Sequence, residues 1–181
     1  MRSINSLEAF NFTKFINEHK DLLEPPVCNT KMWSDAGLMV TIIGGPNQRT
    51  DYHDDPAEEF FYQIKGNMYL NIMEEEGTAP RVVEVNEGDI FFLPAHVRHS
   101  PQRPEVGSIG LVVEPQRPLD ELDGLEWYCM ECHHLLYRVE LKVTDITTDL
   151  GPAMNDFYAD ESLHQCQHCD SMHPGNKKTK T

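Results

Sequence analysis

The chain has 181 residues, of which 39% are hydrophobic and 25% charged, a composition typical of globular proteins rather than disordered ones. No apolar run approaches the roughly 20 residues needed to span a bilayer, and the first residues contain no hydrophobic signal region. The net charge of −15 would repel a nucleic-acid backbone. We therefore expect a cytoplasmic protein that binds neither membranes nor nucleic acid.

Residues 3–24 are predicted to form an N-terminal helix that ends at Pro25 and Pro26. The apolar residues that fall mostly on one side of this helix are Leu7, Phe15, Ile16, Leu22 and Leu23. We interpret that side as a packing surface rather than a functional one.

Between residues 38 and 114 the sequence changes to short β-rich runs separated by turns rich in glycine and proline. The predicted strands are Leu38–Ile43, Phe60–Ile64, Met68–Met73, Arg81–Val85, Ile90–Leu93 and Ile109–Val113. Because no helix-length segment separates these runs, the strands are expected to be antiparallel. This pattern predicts a mainly β protein, either a sandwich or a barrel.

The pattern becomes less regular after Pro118. A long strand is predicted at Leu135–Val143, followed by a short helix that begins near Asp149. Residues 176–181 are polar and contain three lysines, which predicts a disordered tail. We expect residues 1–175 to form a single domain.

Residues 49–62 and 88–103 concentrate histidine, carboxylate and arginine side chains. Each stretch places a histidine beside a predicted strand, and the first adds a carboxylate six residues after its histidine. Two imidazoles and one carboxylate can occupy one face of an octahedral metal ion, as in non-haem Fe(II) oxygenases. Individually these residue types are common on protein surfaces, so the assignment depends on their spacing.

The spacing in the first stretch resembles the first motif of the cupin superfamily. His53, Glu59 and Gly66 fit that motif, and Asp55 stands where its second histidine would be. Glu58 competes with Glu59 as the ligand, because side chains alternate along a strand and only one of the two can face inward.

The second stretch resembles the second cupin motif. Gly88, Pro94 and His99 fit it, with His96 in place of a glycine and Arg103 in place of an asparagine. His96 competes with His99 as a ligand, but the register from Gly88 and Pro94 favours His99.

Two C-x-x-C pairs lie in the segment of about residues 126–170. Four thiolates in two such pairs predict tetrahedral coordination of zinc or a single iron. A site closed by four cysteines has no open position, so we expect it to clamp the C-terminal segment. Nearby residues interpreted as bystanders are His133, His134 and His168, and Cys28 is interpreted as a plain thiol.

Together these features resemble the 3-hydroxyanthranilate 3,4-dioxygenase family over roughly residues 1–175. The most specific similarity is the run at residues 96–104, supported by residues 52–53 and 58–63 and by both cysteine pairs. The four-cysteine site is typical of the bacterial and fungal type of this family.

The resemblance implies a cupin-type antiparallel β-barrel (jelly roll) with an N-terminal helix and a C-terminal metal-bound extension. It implies that catalytic Fe(II) is held by His53, Glu59 and His99. It implies that the substrate is contacted by Arg49, Glu59, Arg103 and Glu114. It implies a second metal ion, iron or zinc, held by Cys129, Cys132, Cys166 and Cys169.

The resemblance further implies that the ring of 3-hydroxyanthranilate is cleaved with O2. The product, 2-amino-3-carboxymuconate semialdehyde, cyclises to quinolinate, the precursor of NAD in the kynurenine pathway. Arg49 and Arg103 would clamp the ring carboxylate, and Glu114 would accept a hydrogen bond from the amine or hydroxyl. Members of this type are homodimers.

The residues by themselves leave other readings open. A different cupin Fe(II) dioxygenase, acting on a thiol or an acireductone, would not require this pair of arginines. A non-enzymatic, metal-dependent cupin sensor is a further alternative. A separate alternative is that Arg49 and Arg103 are exposed loop cations and Glu114 a surface acid, and for Arg49 and Glu114 the residues alone favour it.

Overall fold

The computed structural model describes residues 2–25 and 28–175. The strands in this part of the chain are β1 (Asn29–Lys31), β2 (Leu38–Gly44), β3 (Asp51–Asp54), β4 (Glu59–Lys65), β5 (Met68–Ile72), β6 (Arg81–Val85), β7 (Ile90–Leu93), β8 (His99–Gln102), β9 (Ile109–Pro115), β10 (Asp123–Tyr128) and β11 (Leu135–Leu141). The α-helices are α1 (Phe12–Glu18) and α2 (Ile146–Ala159), and short 3-10 helices occur at Ile4–Ser6, Lys20–Leu23 and Glu161–His164. The predicted tail at residues 176–181 lies outside the described residues.

The strands form two antiparallel sheets. One has the order β1-β2-β9-β4-β7 and the other the order β11-β10-β3-β8-β5-β6. The prediction of a mainly β, antiparallel fold is therefore confirmed, although among the described strands the hydrogen bonding gives two separate sheets rather than a closed barrel. The main core cluster contains Phe61, Leu70, Val85 and Val112, which come from both sheets.

Strands β4 and β9 pair in the middle of the five-stranded sheet and bury alternate residues. In β4 the buried residues are Glu59, Phe61 and Gln63, and in β9 they include Val112 and Glu114. Because side chains alternate across a strand, the apolar core and these polar residues share one face. The interior is therefore apolar in its middle and polar towards the ends of β4 and β9.

The prediction of one long N-terminal helix is wrong. Helix α1 begins only at Phe12, where the side chain of Asn11 accepts a hydrogen bond from the Lys14 amide at 2.8 Å and caps the helix. The preceding 3-10 helix ends at Leu7, whose φ of 50° is incompatible with a continuous helix. Phe10, between the two, packs its ring 5.5 Å from Phe15.

Helix α2 packs on the outer end of the six-stranded sheet. Phe157 is buried and its ring stacks 4.4 Å from Trp127 of β10, in a cluster that also contains Leu150 and Val143. The helix begins at Ile146, three residues before Asp149, where the sequence predicted its start. No helix in the described part of the chain is both long enough and apolar enough to cross a membrane.

Candidate functional site

Two histidines and a glutamate meet between the two sheets. His53 of β3 pairs in register with His99 of β8, and Glu59 begins β4 in the opposite sheet. Each offers one ligand atom, and these three atoms lie within 4.8 Å of one another. All three side chains are buried. The fold therefore brings together the three residues proposed from the cupin spacing.

The donor atoms of this group fit coordination of a metal ion better than hydrogen bonding to one another. Nδ1 of His99 lies 2.8 Å from the carbonyl oxygen of Val97, which leaves Nε2 facing Oε1 of Glu59, also at 2.8 Å. That second contact is an ion-pair distance without hydrogen-bond alignment, so Oε1 is a buried oxygen that lacks a hydrogen-bond partner. An unpartnered buried carboxylate oxygen is unfavourable unless a cation satisfies it. The donor set therefore fits a divalent metal such as iron.

The electrostatics of the site follow from burying acids beside imidazoles. Burial opposes ionisation of Glu59, but nearby His99 and His53 hold the pKa of this carboxyl below its ordinary value. Glu114 has the opposite balance, since burial and the charge of Glu59 raise its pKa to about 9 although Arg117 acts against them. The two glutamates are thus held in different electrostatic environments within one cavity.

The site contains further carboxylates that the sequence reasoning missed or left without a role. Oδ1 of Asp123 lies 2.8 Å from Nε2 of His53, and Asp55 lies 4.0 Å from Nδ1 of the same ring. Arg117 pairs with both aspartates and with Glu114. Asp123 and Arg117 lie outside both cupin motifs, so no spacing rule pointed to them.

A cavity of about 750 Å³ opens beside the metal-ligand group. The site residues that line it are Arg49, His53, Glu59, His99 and Glu114. Another part of the wall is provided by α2 and the C-terminal segment, through Ile146, Leu150, Met154, Tyr158 and Gly175. The cavity therefore combines a metal-ligand group, a cation and an acid with an apolar wall, which suits a small aromatic acid.

Arg49 and Glu114 both reach this cavity, and each already has a charged partner. The Nε of Arg49 donates a hydrogen bond to Asp51 at 2.9 Å, and the side chain remains partly exposed. Glu114 accepts a hydrogen bond from Arg117. Neither residue is the exposed loop cation or surface acid that the residues alone would have suggested.

Arg103 lies deeper than the cavity. Its side chain is 2% exposed, and Nη1 donates a hydrogen bond to Gln63 at 2.6 Å. Its Nε is buried with no hydrogen-bond partner, and burial lowers the pKa of this guanidinium to about 10. A Cβ on Gly110 would lie 2.4 Å from Nη2, so this glycine leaves the space that the guanidinium occupies. Arg103 is not among the residues that line the cavity, whereas its neighbours Pro101 and Gln102 are.

The two competing ligand residues lie outside the metal-ligand group. The side chain of His96 is 57% exposed and pairs with Asp54 and Glu121. Its φ of 61° is a left-handed conformation, which explains why the cupin motif has glycine there. Glu58 is exposed, while the next residue, Glu59, is buried.

The four cysteines form a second cluster near the C-terminus. Their four Sγ atoms lie within 4.8 Å of one another. The Sγ atoms of Cys129 and Cys169 are 3.6 Å apart, and those of Cys132 and Cys166 are 3.5 Å apart. Two backbone amides point at the sulfur of Cys129, and the amide of His168 points at that of Cys166, each at 3.4 Å. The two amide contacts at Cys129 favour its thiolate, the form that binds a metal ion.

The two C-x-x-C turns have the same backbone form. His133 and Asp170, each four residues after the first cysteine of its pair, are left-handed with φ of 58° and 60°. Burial disfavours the thiolate of Cys129, but the Ser171 hydroxyl and backbone amides lower its pKa to about 6. The described chain thus contains a four-thiol cluster in addition to the metal-ligand group in the cavity.

Comparison with known proteins gives a consistent set of relatives. The family model described as 3-hydroxyanthranilic acid dioxygenase matches residues 4–158. A 3-hydroxyanthranilate 3,4-dioxygenase from Brucella anthropi is 56% identical over 172 residues, covering 95% of this chain and 94% of that protein. One from Ruegeria pomeroyi is 57% identical over 171 residues, covering 94% of each. A solved cupin-2 domain protein from Shewanella frigidimarina has a TM-score of 0.47 at 14% identity, over 61% of this chain and 98% of that one.

The ligand geometry predicts different effects for the two competing histidines. We expect His99→Ala to abolish stoichiometric metal binding in the cavity, because it removes one of three buried donors. His96→Ala should retain the metal, because this side chain is exposed and outside the group. Elemental analysis of both variants, corrected for metal held by the cysteines, makes the comparison. Loss of the cavity metal from the His96 variant and its retention by the His99 variant would contradict the assignment.

Proposed function

Because this chain belongs to the 3-hydroxyanthranilic acid dioxygenase family, we propose that it opens the ring of 3-hydroxyanthranilate with O2. The product of that reaction is 2-amino-3-carboxymuconate semialdehyde, which cyclises to quinolinate, a precursor of NAD. The observation that carries the proposal is the group His53, Glu59 and His99 at the edge of a cavity lined by Arg49 and Glu114. We further propose a cytoplasmic location and a single domain over residues 1–175.

The proposed metal in the cavity is Fe(II), held by His53, Glu59 and His99. When bound, iron supplies the redox centre and the open positions that an O2-dependent ring cleavage requires. Since the three ligands are buried and set in strands of both sheets, their geometry is fixed before substrate enters.

The chain's other side chains orient the substrate. The substrate carboxylate pairs with Arg49 at the cavity wall, where part of the guanidinium remains free beside Asp51. Glu114 faces the same space and accepts a hydrogen bond from the ring amine or hydroxyl. The apolar side chains of α2 cover the ring and exclude water.

Arg103 is proposed as the second cation for the substrate carboxylate. The buried Nε of Arg103 has no hydrogen-bond partner, and its Nη1 donates a hydrogen bond to Gln63, an uncharged side chain. An anionic ligand at the adjacent end of the cavity, near Pro101 and Gln102, would satisfy this guanidinium. Reaching such a ligand requires the side chain to turn from Gln63 towards the cavity.

The four cysteines are proposed to hold iron or zinc in a structural role. Their ligand set is closed, and the segment that carries Cys166 and Cys169 directly follows α2 and the 3-10 helix at Glu161–His164. Metal binding there would fix the end of the segment that forms the apolar wall of the cavity.

A homodimer is proposed on the basis of exposed apolar side chains in strand β7. Ile90 is 67% exposed and Phe92 is 55% exposed, and β7 is an edge strand of its sheet. On the neighbouring strand β4, Tyr62 is opposite Ile90 and Phe60 is opposite Phe92, and both are only partly buried. A contiguous apolar surface of this kind is typical of a subunit interface.

The reaction itself is tested by adding 3-hydroxyanthranilate and air to protein reconstituted with Fe(II) without oxygen. We expect consumption of one O2 per substrate and a new product that absorbs in the near ultraviolet. His99→Ala is the matched inactive control. Oxygen uptake with a thiol or an acireductone, and none with 3-hydroxyanthranilate, would instead support one of the other cupin dioxygenases.

Arg103→Ala should lower kcat/KM by at least about tenfold and leave iron content normal, because the residue pairs with substrate rather than with the metal. Arg103→Lys should recover only part of the loss, since an ammonium lacks the planar fork of a guanidinium. The control ligand is 2-aminophenol, which lacks the carboxylate and should bind the wild type and the Ala variant equally. If 2-aminophenol discriminates between them as strongly as the substrate does, Arg103 does not pair with the carboxylate.

The dimer is tested by replacing Ile90 and Phe92 together by lysine. Two charges placed in the proposed interface should convert the dimer to a monomer, measured as molar mass by light scattering. Val106→Lys provides the control, because Val106 is exposed in the connection between β8 and β9 rather than in β7. A monomeric wild type, or a double variant that remains dimeric, would refute the assignment of this surface.

A further inference from the structure

A single buried guanidinium faces the carboxylates around the proposed iron site. The side chain of Arg117 is 6% exposed and contacts Asp55, Glu114 and Asp123. In the described part of the chain, those three carboxylates pair with no other lysine or arginine. Arg117 lies between β9 and β10, which places it next to Glu114 in the first and Asp123 in the second.

The same carboxylates belong to two alternative sets of possible metal ligands. One set is His53 with Asp55 and Asp123, and the other is Asp55 with Glu59 and Glu114. Each set has its donor atoms within 4.8 Å of one another, and all of these residues are buried. Both sets are richer in oxygen than the proposed iron site, so they suit a hard divalent cation.

Arg117 distinguishes these sets from the proposed iron site. Each alternative set contains two carboxylates that pair with Arg117, whereas the set of His53, Glu59 and His99 contains none. A guanidinium within contact distance repels a second cation and occupies the carboxylate oxygens that the cation would need. Arg117 therefore disfavours metal binding by both alternative sets and leaves the set of His53, Glu59 and His99 available.

We propose that Arg117 is a positioning residue that confines the metal ion to His53, Glu59 and His99 and holds Glu114 and Asp123 in place around it. This inference rests on the proposed function, since it takes that ligand set as the iron site. Arg117 pairs with Asp123, and Oδ1 of Asp123 lies 2.8 Å from Nε2 of His53. Arg117 therefore orients the ligand His53 through Asp123. It acts on the substrate through Glu114, which it pairs with directly.

Charge and geometry make separable contributions to this role. Arg117→Met removes both the charge and the hydrogen bonds while retaining a long side chain. Arg117→Lys retains the charge, but a single ammonium cannot span three carboxylates as a planar guanidinium does. The methionine variant tests cation exclusion, and the lysine variant tests positioning.

The chain offers a matched control in Arg138. This side chain also contacts three carboxylates, those of Asp54, Glu126 and Glu140. None of the three belongs to a possible metal-ligand group among the described residues. Arg138→Met therefore removes a comparable ion-pair network without releasing candidate ligands.

The experiment titrates Mn²⁺ into anaerobic protein that already holds Fe(II) in the cavity and metal at the cysteines, with bound Mn²⁺ read by electron paramagnetic resonance. We expect Arg117→Met to bind one additional Mn²⁺ per chain, at least about tenfold more tightly than the wild type or Arg138→Met. Arg117→Lys should bind no additional ion. In turnover of 3-hydroxyanthranilate, Arg117→Met should lose about 10- to 100-fold in kcat/KM, and Arg117→Lys should show a raised KM with normal iron content.

Equal Mn²⁺ binding by Arg117→Met and the wild type, or the same gain in Arg138→Met, would overturn cation exclusion. Wild-type kinetics in Arg117→Lys would overturn the positioning role. If Arg117→Met does not fold, Arg117→Lys still tests that role. Failure of the proposed function is distinguishable, because a wild type that binds iron but does not turn over 3-hydroxyanthranilate leaves the Mn²⁺ comparison intact.

Discussion

The burial of acidic and imidazole side chains between two sheets is the constraint on which this site depends. Asp55, Glu59, Glu114 and Asp123 are all buried there with two histidines, and taking such groups out of water is costly unless each is paired. Arg117 pairs with three of the acids, and Oε1 of Glu59 faces His99 without a hydrogen-bond partner. A divalent cation at that position would satisfy this oxygen, so the fold and the proposed chemistry impose the same requirement.

The strands predicted from the sequence are rich in apolar residues, and three of them, β4, β5 and β9, bury alternating positions. Arg81–Val85 and Ile90–Leu93 have the predicted bounds, and the antiparallel arrangement followed from the short turns between strands. Strands β3 and β8 were not predicted, because their buried positions carry polar residues such as His53 and His99. The strands that hold the two candidate histidine ligands were therefore ones that a hydrophobic pattern could not detect. β10 was missed for a different reason, since all of its residues are buried and it shows no alternation.

The candidate ligands were predictable from motif spacing, whereas their surroundings were not. Spacing selected Glu59 and His99, and the structure places both in the buried group while Glu58 and His96 are exposed. Asp123 lies outside these motifs and meets the site through the pairing of β10 with β3, and Arg117 meets it from the connection between β9 and β10. Contacts of this kind depend on tertiary structure, and a single sequence carries no local signal for them. The depth of Arg103, behind Gln63 rather than at the cavity wall, could not be inferred from its position four residues after His99.

The central claim is that one metal ion occupies the group of His53, Glu59 and His99 in preference to the overlapping carboxylate groups. Anomalous diffraction at the iron edge, from crystals of protein loaded with Fe(II), locates the ion directly. The account predicts a peak in the cavity bonded to one carboxylate and both imidazoles, and no peak between Asp55 and Asp123. A cavity peak coordinated by Asp55 and Asp123, with Glu59 and His99 unbound, would contradict it.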